Sequence, residues 1–108
     1  MTDMTVSKII LEQLGGHRFT VMTGAKQLTG HEKALSFRLP GNGFAKDGIN
    51  YVKIQLNAED TYDVTFVKLR GVNFTVVKER KSIYAEDLQD VFTAVTGLKT
   101  SLGTMGGK

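Results

Sequence analysis

The sequence predicts an α+β fold with an N-terminal helix, a five-stranded curved antiparallel sheet and a C-terminal helix, both helices lying on one face of the sheet. Three observations favour it. Apolar residues recur at helical spacing near both ends of the chain and alternate with polar residues between them. The only proline is Pro40, and the connections are short. Two amphipathic helices cover one apolar sheet face, which leaves the other face open.

The first and last predicted elements are helices, at residues 5–14 and 85–96. Gly15 and Gly16 follow the first apolar stripe and favour a helix end. The second helix has Glu86 in its first turn, where a carboxylate stabilises the positive end of the helix dipole. The apolar stripes are Val6, Ile9, Ile10 and Leu14 in the first helix, and Leu88, Val91, Phe92 and Val95 in the second.

Five segments between the helices are predicted strands. In the first three, apolar and polar residues alternate, which is typical of strands with one buried face. The last two are joined by Gly71, Val72 and Asn73 and are expected to form a hairpin, because glycine and asparagine tolerate the positive φ of tight turns. The five segments are residues 17–22, 35–39, 51–57, 62–70 and 74–80.

Length and composition indicate a small globular protein of the cytoplasm. A chain of 108 residues predicts a single domain over residues 1–99, and the glycine-rich residues 100–108 are expected to be a disordered tail. The absence of cysteine excludes disulfides and thiolate catalysis. No apolar run exceeds three residues, so the sequence indicates neither a membrane span nor a secretory signal.

No catalytic or metal-binding motif is recognisable, so we expect a protein that is not an enzyme and needs no cofactor or metal. The two histidines, His17 and His31, have no carboxylates at metal-binding spacing. Glu59, Asp60 and Asp63 cluster where a strand begins, and such acids are more common in turns than in cation sites.

The net charge of +3 is unevenly distributed along the chain. Residues 64–81 carry five bases and one acid, a net charge of +4. Residues 82–98 carry three acids and no base, a net charge of −3. A basic hairpin beside an acidic helix favours nucleic acid as the partner, because phosphate is attracted to the clustered cations.

The hairpin supplies most of the candidate site. If it is symmetric about Val72, Phe66 and Phe74 lie on the open face with the basic residues, as in platforms that stack the bases of single strands. Alternatively, a bulge near Val67 or a two-residue turn sends these rings into the core. The candidate nucleic-acid-binding residues are Arg18, Arg38, Lys53, Phe66, Lys68, Arg70, Phe74, Lys78 and Arg80.

The alternative function is a protein-interaction module. The open sheet face, or the loop at residues 40–48 with Phe44 as an anchor, could bind and modify or inhibit a host enzyme or defence complex. The same uncovered face could also pair with a second copy across a two-fold axis, which would give a homodimer.

Five short stretches carry a resemblance to known proteins: LGGHRF at 14–19, MTGAK at 22–26, GINYVKI at 48–54, DTYDV at 60–64 and TGL at 96–98. Together they resemble a family of small proteins encoded by bacteriophages, prophages and other mobile elements. The resemblance spans most of residues 5–102. Its stretches are turns and strands without a catalytic signature, so it transfers no functional residue. It implies a phage accessory protein that acts in the cytoplasm of a bacterial host.

Overall fold

The computed structural model describes residues 5–40 and 45–98. Within these ranges the strands form one antiparallel sheet in chain order, so the predicted α+β class with a five-stranded sheet is confirmed. The predicted tail, residues 100–108, and the predicted anchor Phe44 lie outside the described residues. The elements are α1 (Thr5–Leu14), α2 (His17–Thr23), β1 (Lys26–His31), β2 (Ala34–Arg38), β3 (Tyr51–Leu56), β4 (Tyr62–Arg70), β5 (Asn73–Ile83) and α3 (Leu88–Thr96).

The segment predicted as the first strand, residues 17–22, forms α2 instead. Its buried side chains are Phe19 and Thr23, which are one helical turn apart, whereas Val21 is 66% exposed. The Thr23 hydroxyl donates to the Phe19 carbonyl at 2.8 Å, as threonine does in a helix. Six alternating residues rich in β-branched side chains suit a strand, and only contacts with the core select the helix.

A glycine ends α2 where the chain approaches itself closely. Gly24 adopts a left-handed φ of 74°, and its N–H donates to the carbonyl of Thr20 at 2.9 Å. A β-carbon at Gly24 would lie 2.8 Å from the Cγ of Pro40. Both the positive φ and this contact therefore require glycine at the position.

The first strand of the sheet is β1, which lies between the first two predicted strands in a segment where no strand was predicted. Its residues are exposed except for Gly30, which is half-buried, so β1 has no apolar pattern of its own. Pairing with β2 holds it, with Gly30 opposite Leu35. The register shifts between Lys26 and Thr29, and Gln27 has a φ of 54°. Tertiary pairing, rather than local propensity, makes this segment a strand.

All three helices lie on one face of the sheet and enclose a phenylalanine cluster. The Phe92 ring of α3 lies 5.4 Å from that of Phe19, 6.1 Å from that of Phe37 and 6.5 Å from that of Phe66. The four rings are fully buried, to within 1% exposure. This cluster joins α2, α3, β2 and β4 in one core.

Polar contacts centred on Gln13 connect α1 to the rest of the core. Its carbonyl accepts from the Gln89 side chain of α3 at 2.9 Å. Its side-chain oxygen accepts from the Tyr62 hydroxyl of β4 at 2.7 Å. Burial raises the pKa of Tyr62, and the hydrogen bond to Gln13 opposes that rise. None of the described helices is long and apolar enough to cross a lipid bilayer.

Candidate nucleic-acid interface

The β4–β5 hairpin turns in two residues rather than the predicted three. Arg70 pairs with Asn73, so only Gly71 and Val72 lie between the strands. Gly71 has a φ of 58°, which suits a two-residue turn with glycine as its first residue. The predicted pairing symmetric about Val72 is therefore wrong beside the turn, where β5 is shifted by one position.

A β-bulge then restores the predicted pairing. Val67 pairs with Val76 and Phe66 pairs with Lys78, which leaves Val77 as the extra residue of β5. Because successive residues of a strand point to opposite faces, a shift of one residue exchanges the two faces. The two ends of β5 therefore present different sets of side chains to the open face.

The turn and the bulge separate the two predicted aromatic residues. Phe66 points into the core and has no exposed surface, so it cannot stack on a base, and its prediction as a platform residue is corrected. Phe74 lies opposite Leu69 on the open face and is 60% exposed. The expected platform therefore retains one of its two rings.

Tyr51 supplies a second ring on the open face. It precedes the buried Val52 in β3, so its side chain points away from the core. Its ring centroid lies 6.2 Å from that of Phe74, with 61° between the ring planes. We call Tyr51 and Phe74 the aromatic pair. Val67 lies opposite both Tyr51 and Val76 in the sheet and is fully buried, while Val76 is 51% exposed. The aromatic pair therefore has apolar neighbours on the open face.

Cations flank the aromatic pair on the open face. Arg38 lies directly opposite Tyr51 in the β2–β3 ladder. Lys53 lies two residues further along β3, on the same face, and is exposed. Lys26, at the start of β1, lies opposite Arg38 and is also exposed. The predicted positions of Arg38 and Lys53 on the open face thus agree with the strand pairing.

A recess near the hairpin turn is lined by two more of the predicted cations. Its volume is about 400 Å³, and Lys68 and Arg70 line it together with Asn73, Phe74 and Thr75. We call it the hairpin recess. Lys68 and Arg70 follow the buried Phe66 by two and four residues, so they point to the helix side of β4, away from the Phe74 ring. Their predicted place on the open face is therefore wrong.

The other three predicted residues lie elsewhere. Arg18 is exposed on α2, in the helical layer, because its segment is a helix and not a strand. Lys78 and Arg80 follow the bulge and lie opposite Phe66 and Val64, so they point to the helix side of β5. Their assignment to the open face is corrected for this reason.

Asn50 fixes the end of β4 that carries the hairpin recess. Its side-chain amide donates to the Leu69 carbonyl, and its side-chain oxygen accepts from the Leu69 N–H, both at 2.8 Å. The backbone N–H of Asn50 donates to the carbonyl of Val67 at 3.0 Å. Asn50 thus extends the ladder beyond Tyr51 and sets the position of β4 beside the aromatic pair.

The opposite end of the open face is acidic and internally hydrogen-bonded. The Asp63 carboxylate accepts from the Asn57 side chain at 3.1 Å and from the Ser82 N–H at 3.2 Å. Asn57 also accepts from the backbone N–H of Glu59 at 2.9 Å. The acids near the β3–β4 turn thus belong to a turn network, and the described residues contain no cluster of three metal-ligating side chains. The open face is therefore basic at one end only.

Sequence reasoning missed Tyr51 as a site residue, although the alternation in its strand places it on the outward face with Lys53. Its contact with Phe74 depends on the strand order and on the two-residue turn. Neither can be read from β3 alone. No protein-family model, curated protein or solved structure matches this chain.

Proposed function

We propose that this chain is a non-enzymatic phage accessory protein that binds single-stranded nucleic acid on its open sheet face, in the cytoplasm of a bacterial host. The observation that carries the proposal is the aromatic pair on the open face, half-buried Tyr51 and exposed Phe74, with ring centroids 6.2 Å apart. The phage context rests on the sequence resemblance alone.

The geometry of the pair favours a single strand over a duplex. The two ring planes are inclined at 61°, so two successive bases must turn relative to each other to lie on both rings. A flexible single strand can do this, whereas the bases of a duplex are stacked within the helix and not accessible. Stacking on an aromatic side chain stabilises a bound base by about 1–3 kcal/mol and tolerates any sequence.

The surrounding charge supplies the phosphate contacts. Lys26, Arg38 and Lys53 lie on the open face beside the aromatic pair. If about three phosphates are neutralised, counterion release predicts that affinity falls about 20-fold when salt is raised from ~50 to ~200 mM.

Fluorescence anisotropy with a labelled single-stranded oligonucleotide and its duplex, at both salt concentrations, tests the proposal. We expect the single strand to bind more tightly than the duplex and to weaken with salt as described. Absence of binding at the lower salt concentration, or equal binding of both forms, would refute a stacking platform.

A further inference from the structure

The outer edge of β5 is a long strand edge without a partner among the described residues. β5 spans the 11 residues Asn73–Ile83 and is the last strand in the sheet order. All of its residues are exposed except Val77 and Ile83. Half of the backbone N–H and C=O groups of an edge strand point outward, and these groups can pair with an added strand. β1, at the other edge, is shorter, and both edge strands contain register shifts.

A cleft runs beside this edge, between β5 and α3. Its volume is about 370 Å³. Arg80 of β5 enters it from the helix side, because its cross-strand partner Val64 points into the core. A strand added to β5 would direct every second side chain to this side of the sheet. The cleft is lined by Arg80, Asp87, Asp90, Val91, Ala94 and Val95.

We propose that the outer edge of β5 binds an extended acidic segment of a partner protein by strand addition, with one apolar side chain in the cleft. Backbone pairing supplies affinity in this mode, and pockets for alternate side chains supply specificity. The charge of β5 selects an acidic partner, because Lys78, Arg80 and Lys81 outnumber the single acid, Glu79.

The cleft and the cations together define the order of residues in the partner. The residue opposite Arg80 enters the cleft, where Val91, Ala94 and Val95 provide apolar surface. An acid is disfavoured there because Asp87 and Asp90 line the same cleft. Acids instead suit the positions opposite Lys78 and Lys81. In an antiparallel partner this gives the pattern acidic, apolar, any residue, acidic.

A second copy of this chain suits the edge less well. A two-fold axis that joins two β5 edges places one residue opposite its own copy. At residues 78–81 that residue is always charged, so like charges would meet at the centre of the interface. The charge pattern therefore favours a different, acidic chain over a homodimer whose axis passes through residues 78–81.

This surface lies on the helix side of the sheet edge, away from the aromatic pair, so the inference does not depend on nucleic-acid binding. It also gives Lys78 and Arg80 a role other than the one predicted from sequence. For the alternative function, a protein-interaction module, the proposal names both the surface, the outer edge of β5, and the partner, an acidic extended segment.

Nuclear magnetic resonance of the ¹⁵N-labelled protein tests the proposal with two capped peptides, TVELTEVT and the control TVKLTKVT. We expect the acidic peptide to shift amide signals of β5 and α3 saturably, and the basic peptide to leave them unchanged. Signals of Tyr51 and Lys53, on the open face, should not move with either peptide.

Two variants and their controls locate the contact. Ala94→Met fills the cleft and Lys78→Glu reverses the charge opposite an acid, so each should weaken acidic-peptide binding about tenfold or more. The controls are Ala58→Met, in the exposed β3–β4 turn, and Lys8→Glu, exposed on α1, and both should bind normally. Thermal melting by circular dichroism checks that all four variants fold.

Three results would overturn the proposal. The first is the absence of shifts at millimolar acidic peptide. The second is acidic-peptide binding that neither Ala94→Met nor Lys78→Glu weakens. The third is a shift of β5 signals with protein concentration alone, which would identify a second copy as the occupant.

Discussion

Removing the Phe74 ring is the sharpest perturbation of the proposed platform, because this ring is mostly exposed and contributes little to the core. It is 60% exposed, so about 80 Å² of a side chain of ~200 Å² is removed from water. At about 25 cal/mol per Å², Phe74→Ala should lower the free energy of unfolding by about 2 kcal/mol. A domain of this size has roughly 5–15 kcal/mol, so the variant stays folded at 25 °C.

The expected effect on binding is of similar size to this structural cost and is measured on the folded protein. Loss of one stacked base should cost about 1–3 kcal/mol, which lowers affinity for a single-stranded oligonucleotide about 5- to 150-fold. Phe74→Tyr retains a ring and should bind nearly as the parent does. Phe74→Leu retains apolar bulk without a π face, so it should bind like the alanine variant.

Tyr84 is the matched control for this experiment. It is 63% exposed, close to the value for Phe74, and it follows the end of β5, away from the aromatic pair. Tyr84→Ala should therefore reduce stability by a similar amount without changing oligonucleotide affinity. The assay is fluorescence anisotropy at ~50 mM salt with urea denaturation in parallel. The reasoning is refuted if Phe74→Ala and Tyr84→Ala bind equally well.

Four further predictions concern the fold that supports the platform. Asn50→Ala removes both side-chain hydrogen bonds to the β4 backbone and should lower the free energy of unfolding by about 2 kcal/mol in urea denaturation. Gly24→Ala should cost about 2 kcal/mol or more, because a β-carbon meets Pro40 at 2.8 Å. Gly71→Ala, with a φ of 58° and open space around it, should cost only about 1 kcal/mol in the same assay. Burial raises the folded-state pKa of Tyr62 above the unfolded value of about 10, so its stabilisation is complete below that pH and is lost as pH rises through the folded-state pKa. Denaturation measured between about pH 8 and 11 should therefore show an alkaline loss of stability that Tyr62→Phe reduces, and an unchanged slope in that variant would contradict the assignment.

The strongly periodic parts of the fold were predictable from sequence. α1, α3, β2 and β3 each have an apolar stripe or face that one element alone reveals. The buried face of β4 was predicted wrongly, because Phe66 points into the core and not to the open face. Residues 17–22 and β1 were not predictable in this way. The helix α2 is selected by the packing of Phe19 against Phe37 and Phe92, and β1 is held by pairing with β2.

The candidate site was predictable only in part, for a related reason. Alternation correctly placed Arg38 and Lys53 on the open face. The faces of the β5 residues depend instead on a two-residue turn and on the extra residue Val77. Each of these shifts the pairing by one position, and no local pattern in the sequence reveals both. The Tyr51–Phe74 contact then follows from pairing across three strands.

The most direct test of nucleic-acid binding is a map of amide chemical-shift changes when a single-stranded oligonucleotide is added to the ¹⁵N-labelled protein. We predict saturable shifts that centre on Tyr51, Lys53, Phe74 and Val76, with Arg38 and Lys26 at the margin. The acidic end of the open face and the helices should change little. Shifts centred on α2, or on the edge of β5 beside α3, would contradict the account, as would a spectrum that does not change.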